Sequence, residues 1–171
     1  KGASAGSGAV LMMAVTNLEN GQFSDAVGEA ILNDTSVQDV LLDHIIEAAG
    51  EYGFQDIHFD FEYLRPEDRE PYNAFLKKAA QRIHAERLLI STALAPKTSA
   101  SQTGQWYTAH DYRAHGEIVD FVVIMTYEWG YSAGPPMAVS PIGPVRQVLE
   151  YAKTEIPANK IMMGQNLYGY D

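Results

Sequence analysis

Apolar and polar residues alternate along residues 57–62, and the polar ones could do acid chemistry. With a period of two residues, a β-strand places His58, Asp60 and Glu62 on one face. At about 3.3 Å per residue, the Cα atoms of the two acids lie roughly 6 to 7 Å apart. Carboxyls that close cannot ionise independently, so the pKa of one rises and it can act as a general acid near neutral pH. The opposite face is apolar and needs a buried partner; it consists of Ile57, Phe59 and Phe61.

The same three polar residues allow two other interpretations. An antiparallel strand with one face in solvent shows the same alternation. The second interpretation is a metal-dependent hydrolase, because histidine and carboxylate side chains are acceptable ligands for zinc or manganese. A metal site normally takes a further ligand from another strand end, and no other predicted strand ends in a His or Asp pair. We therefore predict no bound metal and no cofactor.

The composition is that of a globular domain, with 171 residues, 46% hydrophobic and 20% charged. A formal net charge of -10 argues against a nucleic-acid or anionic-membrane surface, which needs clustered Lys and Arg. No apolar run approaches the roughly 20 residues of a membrane span, so membrane insertion is not expected. Because cysteine is absent, disulfides, thiolate metal sites and cysteine nucleophiles are excluded.

Five predicted strands alternate with predicted helices, which indicates a parallel sheet built from βα units. The predicted strands are 10–15, 56–62, 88–94, 119–126 and 160–164. The predicted helices are 37–48, 71–83, 144–153 and a short turn at 111–116. A polar loop is expected between the first strand and the first helix.

These units fit an α/β fold of the TIM (β/α)8 barrel type, whose active site lies where strands end and helices have not begun. Eight units need about 250 residues, so we predict a partial barrel of about five units, with residues 1–171 forming part of one catalytic domain. Residues 1–8 are a small-residue segment without an initiator Met, so the natural start and any targeting signal are expected upstream. A flavodoxin-like sheet is the alternative fold, although the sequence lacks the phosphate-binding patterns GxGxxG and GxxxxGKS/T.

Two motifs at predicted strand ends resemble glycoside hydrolase family 18. Residues 53–64 resemble its catalytic strand, whose pattern is DxxDxDxE, and Met125-Thr126-Tyr127-Glu128 resembles its MxYD pattern. Three further segments are similar to the spore-cortex-lytic N-acetylglucosaminidase branch of the family: 95–100, 129–142 and 168–171. The likeness runs from about Val10 to the end of the chain.

The resemblance implies a barrel enzyme that cleaves β-1,4 linkages after N-acetylglucosamine with retention, by substrate-assisted catalysis. It assigns proton donation to Glu62 and support of the sugar acetamido group to Asp60. It assigns to Tyr127 a hydroxyl that donates to the acetamide oxygen and orients it. No protein nucleophile and no metal are implied.

Three positions depart from the family pattern. Gln55 and His58 stand where the pattern has its first two Asp residues, and Glu128 replaces the Asp of MxYD. His58 could change the charge balance at Asp60 and with it the pH profile. The longer Glu128 side chain affects local geometry more than chemistry.

Further side chains near the strand ends are candidates for substrate binding. Four aromatic side chains could stack on sugar faces: Trp106, Trp129, Tyr131 and Tyr168. Either tryptophan could instead pack its loop against the barrel. Four other candidates come from the strand ends: Asn17, His58, Met125 and Glu128.

The resemblance implies a polysaccharide partner, peptidoglycan of the spore cortex, while chitin presents the same acetamido sugar. It also implies an extracellular or spore-associated location, with cell-wall-binding repeats expected outside this chain. A non-catalytic glycan-binding barrel is a further alternative. The retained Glu62 argues against it, because loss of that carboxyl is the simplest way to abolish turnover.

Overall fold

The computed structural model describes residues 6–170 and shows a five-stranded sheet with a separate two-stranded hairpin. The strands are β1 (Met12–Thr16), β2 (Leu18–Glu19), β3 (Gln22–Phe23), β4 (Asp56–Asp60), β5 (Leu89–Leu94), β6 (Phe121–Ile124) and β7 (Ile161–Met163). The helices are α1 (Asp25–Leu32), α2 (Thr35–Tyr52), α3 (Arg69–Ala85), α4 (Tyr112–Ile118) and α5 (Ile142–Glu155). Residues 1–5 of the predicted small-residue segment and Asp171 of the C-terminal motif lie outside the described residues.

The order of the strands decides between the two predicted folds. The five-stranded sheet runs β1, β4, β5, β6, β7, and every neighbouring pair is parallel. Strands therefore follow one another in chain order, without the reversal that a flavodoxin-like sheet has next to its first strand. The flavodoxin-like alternative is wrong. Sequential parallel strands with helices between them confirm the partial (β/α)8 barrel.

The segment between β1 and β4 contains more structure than the predicted polar loop and single helix. The β2–β3 hairpin and helix α1 precede α2. Ser24 begins α1, and its hydroxyl accepts a hydrogen bond from the Val27 N–H at 3.3 Å. Helix α1 has only two turns, so its apolar periodicity is too short to predict from sequence. Helix α2 ends at Gly53, which has the left-handed φ of 77° that glycine adopts easily.

Strand β6 is shorter than the apolar run that predicted it. Val119 belongs to the end of α4, because its N–H still donates to the His115 carbonyl at 3.0 Å. The other predicted strands and helices are present, with ends that differ by a few residues. No helix within residues 6–170 is long and apolar enough to cross a bilayer.

Strand β4 lies between β1 and β5 and packs its apolar face against α3. The rings of Phe59 and Phe75 meet edge to face with centroids 5.2 Å apart, and Phe61 stacks on both Tyr72 and Phe75. The outer face of β4 is therefore closed by helix α3. Its polar side chains point the other way, toward the inside of the partial barrel.

Candidate active site

The carboxyl end of β4 carries the two predicted acids. Asp60 is the last residue of β4, and Glu62 lies two residues beyond it. Asn17, directly after β1, holds the Glu62 main chain: its Oδ1 accepts from the Glu62 N–H at 2.9 Å, and its Nδ2 donates to the Glu62 carbonyl at 2.8 Å. Its Nδ2 also donates to the Ser24 carbonyl, and the side chain is fully buried. Asn17 therefore positions Glu62 and does not line an open cleft as predicted.

Both acids titrate above their ordinary range because they are buried. Burial and, secondarily, the neighbouring Asp60 carboxyl raise the pKa of Glu62 to about 7. Burial also raises the pKa of Asp60, whose Oδ1 has no hydrogen-bond partner among the described residues. Glu62 thus holds a proton near neutral pH, which is the condition for a general acid. The rise that the sequence attributed to the carboxyl pair owes more to burial than to the second charge.

Trp106, from the loop between β5 and α4, contacts the Glu62 carboxyl directly. Its indole N–H donates to Glu62 Oε2 at 2.5 Å, and this bond opposes the burial that raises the Glu62 pKa. Its ring lies parallel to the Tyr63 ring, with centroids 6.1 Å apart. The sequence left open whether Trp106 is a sugar platform or packs its loop against the barrel. In the structure its N–H and its contact with Tyr63 make it part of the wall around Glu62.

A buried chain of hydrogen bonds runs along the base of the acidic face. The Ser91 hydroxyl donates to Asp56 Oδ2 at 2.9 Å and lies 2.8 Å from His58 Nδ1. A hydroxyl has one proton to donate, so His58 Nδ1 must carry the hydrogen that Ser91 accepts. Burial lowers the pKa of His58 to about 4, which keeps the ring neutral. His58 is buried to the same extent as Glu62 and is held by Ser91, so it supports the acidic face, and its contact with a substrate stays a prediction.

Tyr127 lies beside both acids, just beyond β6. Burial raises its pKa, with smaller contributions from the Asp60 and Glu62 carboxyls. Gly164 makes room for its ring, because an added Cβ would lie 2.8 Å from Tyr127 Cε1. Met125 is only 4% exposed and packs in the small apolar cluster beneath Tyr127. Met125 is therefore a packing residue and not the substrate contact that was predicted.

A cavity of about 260 Å³ is lined by Trp106 and Tyr127, the two aromatic side chains next to the acids, although neither acid lines it. Trp129 is a further aromatic wall, and the polar lining includes Glu128 as well as Thr98, Gln102 and Gln147. Trp129 also packs against the main hydrophobic core, so it anchors its loop while one part of it faces the cavity. Aromatic walls with a few polar or charged groups are the usual lining of a small-molecule site.

The remaining predicted residues gather around Glu128, at the rim of the same region. Tyr168 donates its hydroxyl to Glu128 Oε1, and the Tyr170 hydroxyl lies 2.9 Å from the same oxygen. The Glu128 side chain thus holds the C-terminal segment at the rim. Tyr131 is half exposed and lies against Gly134 in the loop that follows. Tyr131 and Tyr168 do not reach the acids through any described contact.

Sequence reasoning missed Asp56, Ser91 and Gly164 and the clamping role of Asn17. A signal for Ser91 existed, because it pairs with His58 across β4 and β5 and so must point to the same interior. Gly164 follows β7 with no sequence feature that distinguishes it from a turn glycine. The bond between Trp106 and Glu62 joins residues that are 44 positions apart and has no local signal.

The metal alternative was tested on the same face. Within residues 6–170, no group of three or more His, Cys, Asp or Glu side chains is arranged to hold a metal ion. His58 is tied to Ser91, and its neighbours Asp60 and Glu62 are held at higher pKa values by burial. The donor set on this face therefore fits protonated acid chemistry better than cation binding.

Comparison with known proteins identifies relatives of this chain. The model of one family, Glycosyl hydrolases family 18, matches residues 5–171. The cortical fragment-lytic enzyme of Bacillus subtilis (strain 168) is 72% identical over 161 residues, which is 94% of this chain and 37% of that protein. The chain thus spans little more than a third of the length of this curated relative.

Solved structures show the same fold. The spore cortex-lytic enzyme SleL of Bacillus megaterium QM B1551 superposes with a TM-score of 0.93 at 61% identity, over 96% of this chain and 38% of that one. A chitinase of Chromobacterium violaceum ATCC 12472 superposes with a TM-score of 0.88 at 25% identity, over 96% of this chain and 51% of that one. The partial barrel is therefore shared by proteins named for two different glycans.

Proposed function

Because this chain belongs to glycosyl hydrolase family 18, we propose that residues 1–171 form part of the catalytic domain of an N-acetylglucosaminidase. One observation carries the proposal most directly. At the carboxyl end of a barrel strand, burial raises the pKa of Glu62 to about 7, and it lies beside a second, half-buried acid, Asp60. A protonated carboxyl at neutral pH, bonded to a tryptophan that lines a cavity with aromatic walls, is suited to protonating a glycosidic oxygen.

In the proposed reaction, Glu62 gives its proton to the glycosidic oxygen as the bond from that oxygen to the anomeric carbon breaks. The acetamido oxygen of the same sugar attacks the anomeric carbon and forms an oxazolinium ion, so the protein supplies no nucleophile. Water then attacks the anomeric carbon from the face that the leaving group left, the bond from that carbon to the acetamido oxygen breaks, and Glu62 takes a proton back from that water. The outcome is hydrolysis with retention.

Asp60 and Tyr127 would control the acetamido group. Asp60 Oδ1 has no partner in the described residues, so it is free to accept the acetamide N–H and to offset the developing positive charge. Tyr127 keeps its proton because burial and nearby carboxyls raise its pKa, so its hydroxyl can donate to the acetamide oxygen. Both groups stand ready before substrate arrives, which limits the reorganisation needed during reaction.

We propose peptidoglycan of the spore cortex as the polymer. The relatives named for cortex are 72% and 61% identical to this chain, whereas the chitinase is 25% identical. An extracellular or spore-associated place of action follows from that substrate. Cell-wall-binding repeats belong to the same proposal and would lie outside these residues.

A chitinase is the second candidate, favoured by the superposition of a chitinase. Chitin and peptidoglycan both present N-acetylglucosamine, so the acid and the acetamido contacts would be the same. The two candidates differ in what they require of the neighbouring sugar. Only a test on both polymers separates them.

The test uses the full-length protein with cortical peptidoglycan fragments and with chitin oligosaccharides, with products identified by mass spectrometry. Wild type should release fragments that end in reducing N-acetylglucosamine, and more of them from peptidoglycan. Glu62→Gln should lower kcat by about 1,000-fold or more, because a positioned acid contributes about 10² to 10⁴ and its amide cannot donate that proton. Glu47→Gln is the matched control, since Glu47 is exposed on α2.

Three results would overturn parts of this proposal. Binding without release from either polymer by wild type would leave a glycan-binding barrel. Unreduced turnover in Glu62→Gln would remove Glu62 from the acid role. Release from chitin alone would replace the cortex with chitin as the substrate.

A further inference from the structure

Trp106 is joined to the general acid more closely than a sugar-stacking residue needs to be. Its indole N–H donates to Glu62 Oε2 at 2.5 Å, across 44 positions of sequence. Indole N–H groups donate and never accept, so this contact depends on a lone pair of one particular carboxyl oxygen. The two oxygens of Glu62 are therefore not equivalent, because Oε2 accepts the indole N–H and Oε1 does not.

The loop that carries Trp106 is attached to the residue after Glu62 as well. The Trp106 and Tyr63 rings are nearly parallel, with an interplanar angle of 9°. Gln105, the residue before Trp106, donates through its side-chain amide to the Tyr63 carbonyl at 3.3 Å. Tyr107, the residue after it, packs on the Trp106 ring with centroids 5.4 Å apart. Three consecutive loop residues thus enclose the main chain and side chain next to the acid.

This attachment explains an unusual backbone conformation. Tyr63 has a φ of 54°, in the left-handed region that residues with a side chain rarely adopt. Such a conformation persists when surrounding contacts determine it, and these cluster at functional sites. The stack on Trp106, the bond from Gln105 and the Phe23 ring 6.2 Å away contact Tyr63 there. The Trp106 loop thus helps, together with Asn17, to set the direction in which the chain leaves Glu62.

We propose that Trp106 is a positioning residue that decides which oxygen of Glu62 carries the acidic proton. Because Oε2 accepts the indole N–H, the proton resides on Oε1, and the proposal assigns proton delivery to Oε1. The inference rests on the proposed glycosidase function and adds a residue to it. It differs from a stacking role, in which the indole would contact a sugar and leave the acid unaffected.

The ionisable groups around Glu62 fix the direction of the effect. Asp60 on the same strand raises the pKa of Glu62, after burial, while the Trp106 bond lowers it. Tyr63, Tyr107 and Tyr127 are the phenols nearby, Glu128 lies beyond Tyr127, and the neutral His58 lies below Asp60. The Trp106 N–H is thus the contact that favours the ionised carboxylate, and removing it should push the Glu62 pKa upward.

Trp106→Phe tests the proposal, because phenylalanine keeps an aromatic ring against Tyr63 and removes the N–H donor together with the smaller ring of the indole. In the full-length protein without substrate, the Glu62 carboxyl is titrated by carbon-13 NMR. Its midpoint should rise above the wild-type value of about 7. With substrate, the alkaline limb of the rate profile should move to higher pH, and the maximal kcat should fall by up to about 100-fold as the acid loses its alignment.

Trp129→Phe is the matched control, since these are the two tryptophans of the chain and Trp129 makes no described bond to Glu62. Its Glu62 titration should equal that of wild type. The same variant leaves Trp106 as the one tryptophan within residues 1–171, so a change in tryptophan emission at the Glu62 midpoint should appear. That change should vanish when Glu62→Gln is added. This second measurement needs no substitution at Trp106 and covers the case in which Trp106→Phe fails to fold.

An unchanged Glu62 midpoint in folded Trp106→Phe would overturn the positioning role. Tryptophan emission that does not change as Glu62 titrates would overturn it as well. Both results are obtained without substrate, so they are separate from the proposed function. If wild type cleaves no glycan while the midpoint still moves, the glycosidase proposal fails and the contact between Trp106 and Glu62 stands.

Discussion

The two faces of strand β4 bury different kinds of side chain, apolar on the outer face and ionisable on the inner face. On the outer face, Ile57, Phe59 and Phe61 are all fully buried, and their rings and methyl groups pack against helix α3. Nothing on that face ionises. Burial of each of these side chains removes apolar surface from water and stabilises the fold.

The inner face buries groups that resist burial. Glu62 and His58 are each 8% exposed, and burial shifts the pKa of each toward the neutral form. Asp60 Oδ1 has no partner in the described part of the chain. Unpaired polar groups inside a protein destabilise it, because they give up hydrogen bonds to water without replacement.

The contrast shows that one face of a short strand can stabilise the fold while the other face carries the reactive side chains. The apolar side provides the packing that offsets the cost of the acidic side, and the backbone between them keeps both in fixed register. A barrel strand suits this division because one face meets the helices and the other meets the active site. Substitutions on the two faces should therefore affect different measurements.

The largest expected effect is on the outer face. Phe61→Ala should lower the free energy of unfolding by about 3 to 5 kcal/mol, because it removes a fully buried ring and leaves a cavity against α3. Denaturant titration at pH 7 measures this loss. Phe61→Leu is the control, since it keeps most of the apolar volume and should lose less. A loss of under about 1 kcal/mol for Phe61→Ala would contradict the role given to this face.

The next effect is on the inner face and should appear in turnover. Asp60→Asn keeps the shape of the side chain and removes its charge, so the developing positive charge loses its partner. We expect kcat to fall by about 10² to 10³-fold. Because burial raises the pKa of Asp60, ionised Asp60 is disfavoured in the folded protein, and the variant should be at least as stable as wild type at pH 8.

Steady-state kinetics and thermal unfolding on the same Asp60→Asn sample check both statements. If this variant unfolds more readily while its turnover is kept, Asp60 stabilises the fold and does not serve the reaction. The inner face would then behave like the outer one.

The smallest expected effect is that of Tyr127→Phe. It removes one neutral hydrogen bond to the acetamide, worth about 0.5 to 1.5 kcal/mol, so kcat/KM should fall by about 3- to 10-fold. The ring keeps its place above Gly164. Cleavage of an N-acetylated oligosaccharide measures the change. A fully de-acetylated analogue, if it is cleaved at all, should show no difference between the two proteins, and a difference there would assign Tyr127 a role away from the acetamide.

The local pattern of the chain predicted the barrel and the acidic strand well. Alternation over residues 57–62 placed the apolar and acidic side chains on the correct faces, because side-chain direction in a strand depends only on neighbouring residues. The alternation of strands and helices similarly indicated sequential βα units, and helix α1 was missed because two turns carry little periodicity.

The contacts between distant residues could not be predicted in the same way. Asn17 holds the Glu62 main chain from 45 positions away, and Ser91 joins His58 to Asp56 across two strands. Trp106 carried an aromatic signal that suggested sugar stacking, whereas its position is set by Tyr63 and Glu62. The roles of Asn17 and Trp106 depend on which loops meet at the end of the sheet, and that of Ser91 depends on the register of β4 and β5; the linear pattern encodes neither directly.

The central claim is that Glu62 is kept protonated by burial at a cost to the fold. It is tested by the difference in unfolding free energy between wild type and Glu62→Gln from pH 4 to pH 9. The folded-state pKa of about 7 lies above the ordinary value of 4.5, so between these values the folded protein holds a proton that the unfolded chain releases. Wild type should therefore lose stability relative to Glu62→Gln as the pH rises across this range, by about 3 kcal/mol in all. A difference that stays constant from pH 4 to pH 9 would mean that Glu62 ionises as it does in water, and it would contradict the claim.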